Sequence, residues 1–184
     1  MKAVIFDASA LDNHLCRVDP EGDIIEYISA SYDGEPCAVM IQIDKLQHCE
    51  PRKIRNRIKN GIFISDEEVI EFIMQCGSGV PHLDRVKSDP YDFVILAYHK
   101  NYNAEILISC DRYLLYVAEH LDLKHRCFKA ALHEANNSLN SGIVDDPAYH
   151  TEEMFESGND PFFHYPNNRY CGLCDKRKQC ICHR

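Results

Sequence analysis

The chain has 184 residues, 45% hydrophobic and 27% charged, which is enough apolar material for one sizeable core and argues for one main domain with appendages. A formal net charge of -9 and a pI near 5.5 exclude a global electrostatic pull toward nucleic acid, so such a partner must be met by a local basic patch or through metal ions. No apolar run approaches the roughly 20 residues of a bilayer crossing, and Asp7 interrupts "MKAVIFDASALDNHL" too early for a signal h-region, so the expectation is a cytoplasmic protein with no membrane partner.

The opening "KAVIFDAS" is a β-branched and aromatic run ended by Asp7, read as a strand, and Leu11, Leu15 and Val18 mark a helix behind it. "RVDPEGD" reads as a loop, "IIEYISASY" as strand or short helix, and "DGEP" as a turn. "CAVMIQIDKLQH" begins as a strand and becomes helical, and "PRKIRNRIKN" carries Pro where the first turn of a helix tolerates it. "GIFIS" is a short strand, Asp66 an N-cap for the helix "EEVIEFIMQC", and "GSGVPHLDRVKSDP" a loop. Beyond it Val94, Ile95 and Tyr98 share a helical face and "EILIS" is a buried strand. The helix "RYLLYVAEHL", the short strand "HRCF" and the helix "KAALHEANNSL" complete the order.

Strands alternating with helices imply parallel pairing and a three-layer α/β/α fold with a central, mostly parallel sheet, and sites in such folds gather at the carboxyl ends of the strands. Asp7 ends the first strand, Asp111 follows "EILIS" by two residues, and Asp92 stands at the start of the helix between them. Carboxylates converging there would repel one another unless a divalent cation sits among them, and Mg²⁺ or Mn²⁺ suits an all-oxygen set. The structural alternative makes Asp7 and Asp111 helix caps and Asp92 a surface acid.

"VIFDAS", "YDFVILAYH" and "ILISCDRYL" resemble, in order and spacing, three motifs of the PIN-domain nucleases, over roughly residues 1 to 135. The resemblance implies that Asp7, Asp92 and Asp111 bind metal, that Ser9 and Ser109 support them through their hydroxyls, and that a phosphodiester is cleaved. At the family's second acid, usually a Glu, "VMIQIDKL" places Gln42 with Asp44 two residues on. A Gln offers a neutral carbonyl alone, so metal affinity falls unless Asp44 or Glu50 enters the site.

"PRKIRNRIK" places Arg52, Lys53, Arg55, Arg57 and Lys59 within nine residues beside that motif. It is a candidate phosphate-binding patch; its plainer reading is a solvated helix face with Ile54 and Ile58 turned inward. Tyr98, Tyr102 and Tyr113 are base-stacking or core residues, and His99, His120, His125 and His133 structural or surface ones.

Ten cysteines occur. Cys16, Cys37, Cys49, Cys76, Cys110 and Cys127 are scattered and read as buried thiols. Four lie in "CGLCDKRKQCICHR", where Cys171 and Cys174 form a CxxC knuckle and Cys180 with Cys182 or His183 closes a tetrahedron, with His150 and His164 in reserve; Zn²⁺ is the default occupant. The same segment is similar to the cysteine tail of iron–sulfur CRISPR-associated exonucleases and helicase-nucleases, which keeps a [4Fe–4S] cluster as the alternative; a reduced or disulfide-bonded tail is the structural one.

These readings divide the chain into a PIN-like domain at 1–140, an extended linker at 141–165 and a metal-binding tail at 166–184. The expected activity is that of a Mg²⁺- or Mn²⁺-dependent endoribonuclease acting on single-stranded or structured RNA, with a homodimer or an inhibitory protein as further partners. The alternatives are a catalytically inactive PIN-like scaffold that binds RNA or protein, and a stand-alone metal-binding interaction protein.

Overall fold

The computed structural model describes residues 2–12, 19, 21–58, 60–81, 83–86 and 89–139. Cys16, Lys59, the expected linker and the tail with Cys171, Cys174, Cys180, Cys182 and His183 lie outside the described residues.

Five strands form an all-parallel sheet in the order β3-β2-β1-β4-β5: β1 Lys2–Phe6, β2 Gly34–Ala38, β3 Asn60–Gly61, β4 Ile106–Ser109 and β5 His125–Cys127. Parallel neighbours need crossovers, and helices supply them. The central strands are apolar on both faces, as expected where helices cover both. Val4, Phe6, Ile106 and Ile108 pack with Ile24, Ile25, Ile28, Phe128 and Leu132 on one face. These come from α2 (Asp23–Ser31) and α9 (Phe128–Leu139). Ile5 and Leu107, one residue out of phase, pack with Phe72, Val86, Phe93, Leu96 and Val117 on the other. There the helices are α5 (Asp66–Cys76), α6 (Leu83–Val86), α7 (Pro90–Tyr102) and α8 (Arg112–His120). Short helical turns α1 (Ala8–Ala10) and α3 (Met40–Ile43), and the helix α4 (Pro51–Arg57), lie near the carboxyl edge. No helix among the described residues is long and apolar enough to cross a membrane.

Several elements depart from expectation. The ambiguous "IIEYISASY" is helical, because Ile24, Ile25 and Ile28 share one buried helical face. The expected turn "DGEP" gives Gly34, Glu35 and Pro36 to β2. Pro36 is tolerated because β3 pairs with β2 at Cys37 and Ala38 alone, leaving no strand on that side at Pro36 to receive a hydrogen bond. The N-cap of α5 is Ser65, not Asp66. Ser65 Oγ accepts from Glu68 N at 3.2 Å, and the Glu68 carboxylate accepts from Ser65 N at 3.0 Å, which closes a capping box. "GIFIS" contributes Gly61 alone to a strand, although Ile62 N still donates to Ala38 O at 2.9 Å. Within the expected loop at 77–90 a short 3₁₀ turn and α6 form.

Cys37, Cys76, Cys110 and Cys127 are thiols outside any disulfide, as expected, but Cys49 is disulfide-bonded. It lies half-buried against the core between α3 and α4, and a singly placed cysteine carries no pairing signal in sequence. His99 and His125 are buried, with His99 Nε2 at 2.8 Å from Lys124 O and His125 Nδ1 at 2.9 Å from Leu123 O. Their other ring nitrogens are buried without a partner among the described residues, so each ring is half-satisfied there.

Gly34 starts β2 against β1 so closely that a Cβ there would stand 2.6 Å from Val4 Cγ2 and 2.8 Å from the Lys2 carbonyl oxygen. Since the carbonyl belongs to the central strand and cannot yield, Gly34→Ala is expected to cost about 1–3 kcal/mol. Chemical denaturation at fixed m-value measures it; an unchanged midpoint would contradict the close strand approach.

Candidate functional site

The strand register gathers the acids. Phe6 pairs with Ile108, so Asp7 stands level with Ser109, and Asp7 N donates to Ile108 O at 3.0 Å. Asp7 is the N-cap of α1 and is buried, 3% exposed. Its Oδ2 accepts from Ser109 Oγ at 2.8 Å, from Ser9 N at 3.3 Å and from Ser9 Oγ. Each of those hydroxyls accepts a backbone amide in turn, Ser9 Oγ from Cys110 N at 3.0 Å and Ser109 Oγ from Asp111 N at 2.9 Å. Hydrogen-bond polarity therefore runs from two amides at the end of β4, through two hydroxyls, into one carboxylate oxygen. Both serine hydroxyls therefore bear on the same Asp7 oxygen.

Asp111 caps α8, its Oδ1 accepting from Tyr113 N at 2.7 Å and Leu114 N at 3.2 Å. Capping and clustering thus coexist at Asp7 and Asp111. Asp92 differs from the surface acid of the structural alternative: it is the third residue of α7 and 8% exposed. The cap of α7 is Asp89, whose Oδ1 accepts from Tyr91 N at 2.9 Å. Asp89 also adds its charge to the environment of Asp92. Sequence reasoning missed it as a neighbour of the acids, although Asp before Pro is a helix-start signal.

Burial pushes the Asp92 carboxyl up to about 9, and the charges of Asp7, Asp89 and Asp111 add to the effect. Asp7 is raised too, first by burial, with Asp111 adding to it and the Ser9 and Ser109 hydrogen bonds opposing it. Asp7 Oδ1, Asp111 Oδ2 and both Asp92 oxygens have no hydrogen bond among the described residues. Hard oxygen donors and mutual repulsion suit a divalent cation in chemistry. Among the described residues, however, no three His, Cys, Asp or Glu side chains already form a group that could hold a metal ion. A cation would have to draw the carboxylates together.

Gln42 is buried on α3, just past the carboxyl end of β2. Asp44 turns outward, half-exposed, to pair with Arg55, and Glu50 is exposed before α4. The basic helix is largely neutralised by the chain itself. Lys53 pairs with Glu21, Arg55 with Asp44, and Arg57 with Asp23 and, at 3.5 Å, Glu26. Arg52 is exposed. Tyr98 and Tyr102 stack on each other with centroids 4.9 Å apart. Tyr102 lies ten residues along α7 from Asp92, about 15 Å, and so away from the acids. Lys45, in the turn after α3, holds its Nζ 5.5 Å from the ring centroid of Tyr91, the residue before Asp92. No sequence signal marks that pair, since it joins two distant segments.

Comparison with family models, with curated proteins and with solved structures finds no match for this chain.

A carboxylate raised in the folded state contributes stability that is present below its ordinary value of 3.8 and is lost as pH rises toward the folded value, here about 9. In EDTA, the difference in melting temperature between Asp92→Asn and wild type is therefore expected to widen from pH 5 to pH 9, with the variant more stable by about 1–2 kcal/mol at the upper end. A variant less stable than wild type at pH 9 would show that the acids do not repel.

Proposed function

We propose that this chain is a metal-dependent endoribonuclease of PIN-like architecture, acting in the cytoplasm on single-stranded or structured RNA. The reading is carried by one observation: parallel strand register and two helix starts bring Asp7, Asp92 and Asp111 to one sheet edge, where Asp111 raises the proton affinity of Asp7 and both raise that of Asp92. When bound, Mg²⁺ or Mn²⁺ supplies charge neutralisation, polarisation of a phosphoryl oxygen and an activated water. The chain's own residues set the stage. Ser9 and Ser109 hold one oxygen of Asp7 and leave the other open. Two α8 amides fix Asp111. Asp92, free of such ties, is the carboxylate that adjusts. The tail, with Cys171, Cys174, Cys180 and Cys182 or His183, is read as a zinc knuckle that adds an RNA or protein contact.

A second reading, the inactive scaffold that binds RNA or a partner, is favoured by the neutral Gln42 and by the lack, among the described residues, of an assembled metal-ligating group.

Cleavage of a labelled single-stranded RNA by the full chain in Mn²⁺, Mg²⁺ or EDTA separates the two. The expected result is metal-dependent cutting, reduced at least about 100-fold in Asp92→Asn and Asp111→Asn with circular dichroism unchanged. RNA binding without cutting under any metal would support the scaffold.

A further inference from the structure

The acids at the edge offer an incoming phosphate no positive charge of the chain's own. A strand must be gripped by a cation beside the acids and not among them. The basic helix is the obvious source by sequence, yet Lys53, Arg55 and Arg57 are already taken up by acids of this chain.

Resting on the nuclease reading, we infer that Lys45 is the strand-positioning cation of the site, holding a phosphate of single-stranded RNA next to Asp92. Lys45 is exposed, and it makes no ion pair among the described residues. It follows α3, which begins just past β2, and it reaches across to the first turn of α7. Its Nζ stands 5.5 Å from the Tyr91 ring centroid, so the aromatic face attracts the ammonium and restrains its stem while leaving its three protons available. Tyr91 precedes Asp92 in the chain, so the cation is tied to the same helical turn as one of the buried acids. Gln42, three residues before Lys45, is a buried neutral side chain where the resemblance expects an acid. An acid in its place would oppose both the lysine's partner phosphate and Asp92.

The test uses the full chain and a 5′-labelled single-stranded oligoribonucleotide. Its Kd is followed by fluorescence anisotropy in Ca²⁺ across a salt series, and KM and kcat by cleavage in Mn²⁺. Lys45→Gln is expected to raise Kd and KM roughly three- to tenfold with kcat within about twofold, and to flatten the slope of log Kd against log salt by about 0.7, the loss of one phosphate contact. Lys45→Arg should restore both, since a guanidinium also stacks on an aromatic face. Lys53→Gln, which removes a cation already paired, should stay within about twofold of wild type. Lys45→Gln indistinguishable from a wild type that binds and cuts RNA overturns this assignment and leaves the nuclease reading standing. A wild type that neither binds nor cuts the RNA overturns both.

Discussion

Everything at the carboxyl edge hangs on the reception of the Asp7 charge. That carboxylate is buried between the two central strands, where an unsupported ion would be costly. The chain meets the cost with a relay: two amides at the end of β4 donate to two serine hydroxyls, and both hydroxyls donate to the same oxygen. The relay does two things at once. It satisfies orphan amides where the backbone leaves β4, and it ties β1 to β4 beyond their last ladder bond.

The same economy explains why caps and site residues are hard to tell apart. A helix that starts at a strand's carboxyl end leaves unpaired amides, and an aspartate is a good acceptor for them. Asp7 and Asp111 therefore serve the fold and, in the proposed reading, the chemistry with different oxygens of one group. Asp92 has no such structural duty, and its burial among like charges is a burden on the cation-free protein. A proton relieves that burden and so would a metal ion, and the functional proposal takes the second.

Much of this was legible beforehand and for identifiable reasons. The continuous apolar runs around Ile5 and Leu107 follow from local patterning and a parallel sheet follows from strand–helix alternation, whereas "IIEYISASY" is short enough to suit strand or helix until its packing is fixed. What escaped were features set by tertiary contact. Pro36 looked like a turn because its tolerance depends on how short β3 is. The five cations at Arg52 to Lys59 looked like a free patch because Glu21, Asp23 and Glu26 come from another segment and Asp44 from the preceding turn. Lys45 and Tyr91 are 46 positions apart and share no motif. Cys49 was read as a thiol because a disulfide leaves no trace in the residues around one cysteine.

The sheet's margins carry a different consequence. β3 has two residues and β5 three, so neither border offers a long ladder of unpaired amides and carbonyls, and the sticky segments "VIF" and "ILIS" are locked in the middle. A folded molecule of this shape has little edge for another chain to extend into a fibril-like stack. The exposure comes earlier, before β1 and β4 have met across a hundred residues of intervening chain, when both apolar strands are bare. Aggregation of this protein should thus track the lifetime of its folding intermediates and not the breathing of its native state.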